Sequence, residues 1–243
     1  NYIKQHQIDV IHCTEKPRDV LAAVALAKLT GAASVVHLHV KWEDWIRSSV
    51  RWGMVHADGL IAVSPFVART AIQQGGCQPE RVFSVLNGIE PEKWDPSLGG
   101  TEIRREFNIS RNTVLLGIVS RLFAWKGHLE LLESLALVRQ QFDNFHLLVV
   151  GEDDPRGTPG RPPLSEEIRA AAARLKLEDH ITLTGVRTDI PLILAALDIF
   201  TMPSFEEPLG VAYLEAMAMG KPVVALRSGG VPDVVVDGRT GYI

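Results

Sequence analysis

Four side chains in the second half of the chain have the types and spacing for phosphate and sugar chemistry: Arg121, Lys126, Glu207 and Glu215. Arg121 directly follows the apolar run TVLLGIVS, and Lys126 stands five residues later, just before Gly127. A planar guanidinium and a point-charge ammonium at one strand end suit a diphosphate. Taken singly, either cation is more commonly a solvated surface charge. Glu207 stands in the acidic loop FEEPLG, and Glu215 stands in the run VAYLEAMAM. A helix alone would not bring the two together, but a loop before the helix lets both turn toward one site. Carboxylates there can accept hydrogen bonds from sugar or ribose hydroxyls and stabilise a developing oxocarbenium charge. For a lone Glu206 or Glu207, an acidic helix start that favours the macrodipole is the commoner role. A helix starting near Gly210 also offers free N–H groups to an anion.

His37 and His39 alternate along SVVHLH, so they point to the same face of a strand. A hydrogen-bonded core histidine is the commoner reading of either one; His39, at the carboxyl end, is the site candidate. No carboxylate or cysteine completes a close cluster around them, and no Asp-x-Asp occurs, so no metal site is expected. The segment 42–52, WEDWIRSSVRW, reads as a helix. It carries Trp42, Trp45 and Trp52 beside Lys41, Arg47 and Arg51, with Trp45 and Trp52 seven residues apart on one face. Such a helix suits a membrane interface or an acceptor surface, and a tryptophan face packed on a sheet is the plainer alternative.

The elements that must position these residues alternate along the chain. DVIH, SVVHLH, GLIAVS and RVFSVL read as buried strands, and RDVLAAVALAKL and PFVARTAIQQ as helices between them. Ser64 and Pro65 form an N-cap and N1 pair, with Gly75-Gly76 as the stop. The pattern breaks at NGIEPEKWDPSLGG and the short helix TEIRREF, then resumes from TVLLGIVS to PVVAL. Strand–helix–strand succession means parallel sheets with right-handed crossovers. The predicted fold is α/β, with two doubly wound domains facing a cleft: residues 1–92, a linker at 93–111, and 112–243. In such sheets ligands sit beyond the carboxyl ends of the strands.

With 243 residues, 46% of them hydrophobic, the chain can bury two cores. A net charge of −4 argues against nucleic acid as a partner. Cys13 and Cys77, far apart, suggest neither a disulfide framework nor a zinc site, and a reducing cytoplasm fits. No apolar run approaches the roughly 18 residues of a membrane span. NYIKQHQ reads as the tail of a helix without an initiator Met, and GRTGYI stops in mid-pattern, so the chain is read as part of a longer protein.

SRLFAWKG, VVGEDD, LTGVRTDI, DIFTMPSFEEPLGVAYLEAMAMGKPVVAL and GGVPDVVVDGRTGYI together resemble the retaining glycosyltransferases of the GT-B fold, family 4. The resemblance covers nearly the whole chain and is strongest from Arg121 onward; the paired glutamates are its most specific element. It implies two Rossmann-like domains, the first incomplete because the family's glycine-rich loop precedes this sequence, with the closing helix that crosses back also absent. It implies a nucleoside-diphosphate sugar as donor and no other cofactor, with Arg121 and Lys126 on the diphosphate in place of a metal ion. It places Glu207 and His39 at the transferred sugar, Glu215 on the ribose, the backbone of Leu209, Gly210 and Val211 on donor oxygens, and Val186 and Arg187 beside the base. The acceptor would be a glycan or lipid-linked hydroxyl, and the helix 42–52 would touch the inner membrane face during cell-envelope polysaccharide synthesis. A sugar-nucleotide-binding module without transfer is the alternative. A nucleotide-dependent oxidoreductase would need a G-x-G-x-x-G turn, which the sequence lacks. On this reading Glu207→Gln spares nucleotide affinity and harms transfer.

Overall fold

The computed structural model describes residues 2–43, 46–155, 157 and 160–243, and the chain divides into two compact units, Asn1–Gly88 and Ile89–Ile243. The first contains α1 (Tyr2–Gln5), β1 (Val10–Thr14), α2 (Pro17–Thr30), β2 (Ala33–Leu38), α3 (Ser48–His56), β3 (Gly59–Ala62), α4 (Pro65–Gln73) and β4 (Val82–Ser84). Its four strands pair in parallel in the order β1-β2-β3-β4. Helix α4 starts as its sequence dictates: Ser64 is extended, its Oγ accepts from the Val67 N–H at 3.1 Å, and Pro65 follows.

The second unit contains α5 (Thr101–Glu106), β5 (Val114–Val119), α6 (His128–Arg139), β6 (Phe145–Val150), α7 (Leu164–Leu175), β7 (Ile181–Gly185), α8 (Ile190–Ala196), β8 (Ile199–Met202), α9 (Val211–Ala218), β9 (Val223–Ala225) and β10 (Gly241–Tyr242). Its parallel sheet runs β10-β9-β8-β5-β6-β7. The apolar run of β6 is buried at five of six positions, as a central parallel strand must be. After β7 the chain returns to the other flank of β5, so strand order reverses between β5 and β8. That reversal puts the loops leaving β5 and β8 side by side at the carboxyl edge, where doubly wound sheets bind ligands. Helix α9 is pinned to β8 by Tyr213, fully buried, whose OH donates to the Met202 carbonyl at 2.6 Å. The ring meets Phe200 edge-on at 5.8 Å, a contact that adds about 0.5–1.5 kcal/mol beyond area burial.

Two sequence expectations change. The predicted linker 93–111 belongs to the second unit. Ile103 of α5 is 3% exposed in that unit's core. Arg104 donates to the carbonyls of Ala196, Ser110 and Thr113 and pairs with Asp198 at 2.6 Å. The prolines and glycines are turns pinned to a domain surface, with the boundary at Gly88/Ile89. The predicted helix 42–52 is the second change: α3 begins only at Ser48. Trp42 precedes it and is 6% exposed, with its backbone N–H donating to Thr70 Oγ1 at 3.0 Å. Trp45 lies outside the described residues, so its expected shared face with Trp52 is not placed. Trp52 is on α3, half-exposed, stacked on His56 with Lys28 over its ring.

Candidate functional site

The loop leaving β5 runs through Ser120 and Arg121, makes a 3-10 turn over Ala124–Lys126, and enters α6 after Gly127. Gly127 has φ +77°, and a Cβ on it would overlap the Pro203 carbonyl of the loop leaving β8. Only glycine lets the two loops approach this closely. A backbone hydrogen bond ties them, the Phe205 N–H donating to the Trp125 carbonyl at 2.7 Å.

This join carries two of the expected residues into contact. Lys126 Nζ lies 2.7 Å from Glu207 Oε2, and the side chains are 13% and 7% exposed. The loop holding Glu207 is itself braced from below. The Glu206 N–H donates to Ser228 Oγ at 2.7 Å, and the Glu207 carbonyl accepts from the Gly230 N–H at 2.7 Å. Leu209 is buried, Gly210 has φ +87°, and Val211 opens α9. The N–H groups of Leu209, Gly210 and Val211 have no acceptor among the described residues, and are free for a ligand. Glu215 lies on α9, half-buried; desolvation raises its carboxyl above the usual range. Arg121 is exposed and has no ion-pair partner among the described residues.

Other expected residues are placed differently. The Arg187 guanidinium is taken up by Asp189 (2.7 and 2.9 Å) and Glu106 (2.5 and 2.9 Å). The hydrogen bonds to Asp189 and Glu106 hold the guanidinium firmly protonated, and the bond from Arg187 presses the Asp189 carboxyl below its usual range. The Arg187 guanidinium therefore braces α5 and the start of α8, while its neighbour Val186 is exposed. His39, in the first unit, lies just past β2 and is exposed; its backbone N–H donates to Glu15 Oε2 at 3.1 Å. Its ring stacks on His37 at 4.3 Å, and His37 stacks on His12 of β1 at 5.6 Å. Burial, then the two neighbouring rings, lowers the His37 pKa.

Sequence reasoning missed His128, the first residue of α6. It is 3% exposed, with Nε2 3.4 Å from Ser120 Oγ and Nδ1 unpartnered among the described residues. Burial pushes its pKa down to about 4, against about 6.5 unfolded. The folded form therefore binds fewer protons than the unfolded between these values. Its stabilisation is complete above about pH 6.5 and is lost as pH falls toward 4, about 3 kcal/mol in all. Urea unfolding of the parent and His128→Asn at pH 7 and pH 4.5 checks this. The parent loses more stability than the variant; equal losses would clear His128 of the effect.

Comparison with known proteins follows the same division. A family model described as Glycosyl transferases group 1 matches residues 113–243, and one described as Glycosyltransferase Family 4 matches residues 1–93. The chain is 32% identical over 208 residues to an alpha-maltose-1-phosphate synthase of Mycolicibacterium smegmatis, covering 82% of this chain and 51% of that protein. It is also 32% identical over 166 residues to a GDP-mannose-dependent alpha-(1-6)-phosphatidylinositol monomannoside mannosyltransferase of Mycobacterium tuberculosis, covering 64% of this chain and 40% of that one. Among solved structures, Anabaena Alr3699/HepE in complex with UDP is similar, with a TM-score of 0.85 and 27% identity, covering 99% of this chain and 66% of that chain. The chain thus spans about half the length of the curated relatives it matches.

Proposed function

The chain belongs to the glycosyl transferases group 1 family, and from that premise we propose that it forms the donor side of a retaining transferase. This enzyme moves a hexosyl group from a nucleoside-diphosphate sugar to a glycan or lipid-linked hydroxyl. The observation that carries the reading is the meeting of Lys126 and Glu207 at the reversal of strand order, 2.7 Å apart. Breaking the bond between the anomeric carbon and the phosphate oxygen leaves positive charge on the sugar and negative charge on the phosphates. A carboxylate serves the first, and Arg121 with Lys126 serves the second in the role a metal ion would otherwise take. Free N–H groups at Leu209, Gly210 and Val211 add donors for sugar and phosphate oxygens, and Glu215 accepts from the ribose.

The relatives' names cover a GDP-mannose enzyme and a structure holding UDP, so the base is open to measurement. No helix among the described residues is long and apolar enough to cross a membrane. Action at the cytoplasmic membrane face would rest on peripheral contact near Trp52. Calorimetric titration with UDP, GDP and ADP tests the site. One diphosphate binds, and Arg121→Ala weakens it by about ten- to a hundredfold, the worth of one charge-assisted contact. The loss is larger for the diphosphate than for its monophosphate. Equal losses for the two would remove Arg121 from the phosphates, and a folded sample that binds none of the three would sink the donor site.

A further inference from the structure

Lys126 is held from two sides. Its Nζ lies 2.7 Å from Glu207 Oε2 and 4.1 Å from the ring centroid of Trp125, its own neighbour in sequence. The two partners differ in kind. A carboxylate neutralises the ammonium, whereas an indole face attracts it through the ring quadrupole and leaves the charge in place. Trp125 is itself fixed: its carbonyl accepts from Phe205, and its ring lies nearly parallel to Phe123, 17° and 6.1 Å apart. It nevertheless stays 39% exposed, more than a core tryptophan would.

We propose that Trp125 is a positioning residue for the diphosphate site. Its indole face holds the Lys126 ammonium where an incoming phosphate can share it with Glu207. Without the ring, the ammonium leans wholly on the carboxylate, and a phosphate must displace that pairing to gain its charge. The inference rests on the reading of Lys126 as a phosphate-binding cation.

Calorimetry with UDP and UMP, or GDP and GMP if guanine is the base selected, tests it in Trp125→Leu and Trp125→Phe. A desolvated cation–π contact corresponds to roughly a tenfold change in affinity. Trp125→Leu therefore weakens the diphosphate by about tenfold, leaves the monophosphate within about twofold, and Trp125→Phe recovers most of the loss. In a Lys126→Ala background the Leu substitution has no further effect, because the group it positions is gone. A parallel fall for mono- and diphosphate would mark simple loop damage and overturn the proposal. So would unchanged binding in Trp125→Leu, or an undiminished effect without Lys126. If the parent protein binds no diphosphate, the donor site fails first, a result distinct from any of these.

Discussion

Glu207→Gln lowers the thermal midpoint of the protein by about 6–12 °C while tightening its hold on a nucleoside diphosphate. The first effect follows from burial. With Lys126 and Glu207 only 13% and 7% exposed, removing the carboxylate leaves an ammonium largely out of water without a counter-charge. Breaking such a pair costs on the order of 3 kcal/mol, the lower end of the range because the indole and some solvent remain. A chain of this size loses about 2–4 °C for each kcal/mol. The second effect follows from competition, since the carboxylate neutralises the charge a phosphate needs. Sequence alone leads one to expect unchanged nucleotide affinity in this variant. The 2.7 Å ion pair replaces that with a gain of several-fold, about 1 kcal/mol. Thermal scanning and titration of one preparation read both quantities. A variant as stable as its parent would show that the pair contributes nothing. Joint loss of stability and affinity would show that Glu207 assists phosphate binding. Replacing both charges, Lys126→Met with Glu207→Gln, recovers most of the lost stability.

What was legible in the sequence was local. TVLLGIVS and IFTM are apolar runs of strand length, so β5 and β8 could be placed, and Arg121 and Lys126 put at a carboxyl edge. The contact of Lys126 with a residue 81 positions later depends on β8 pairing with β5, a strand order that hydrophobic patterning does not encode. The double pairing of Arg187 is hidden from the sequence for a related reason. Asp189 lies two residues away, but Glu106 arrives from a stretch whose prolines and glycines signalled a linker. Turn residues report backbone direction, and they are silent on whether the turn is packed against a domain, as Ile103 and Arg104 show. The helix expected over 42–52 begins only at Ser48; the seven-residue spacing of Trp45 and Trp52 imitates an amphipathic stripe. Trp42 is instead buried ahead of the helix, against the Thr70 hydroxyl of α4.

The run GGVPD has a physical reason in the packing of Gly229 against the Glu207 loop. Gly229 has φ +61°, and a Cβ on it would fall 2.6 Å from both the Glu206 carbonyl carbon and the Glu207 nitrogen. These atoms are backbone, so nothing can rotate aside, and Gly229→Ala must displace the loop that carries Glu207. Left-handed backbone costs an alanine about 1–2 kcal/mol, and overpacking adds about 1–3. Gly220→Ala separates the two terms, because Gly220 has φ +69° with nothing within 4 Å of its added Cβ. Denaturant unfolding should show Gly220→Ala losing about 1–2 kcal/mol and Gly229→Ala about twice that. Equal losses would mean that strain alone matters and that the close approach to Glu207 is slack. The same contact makes the effect of Gly229→Ala depend on the ion pair. In a Glu207→Gln background part of its cost has already been incurred, so the two substitutions sum to less than their separate effects. Full additivity would separate the brace from the pair and leave the position of Glu207 to its own loop.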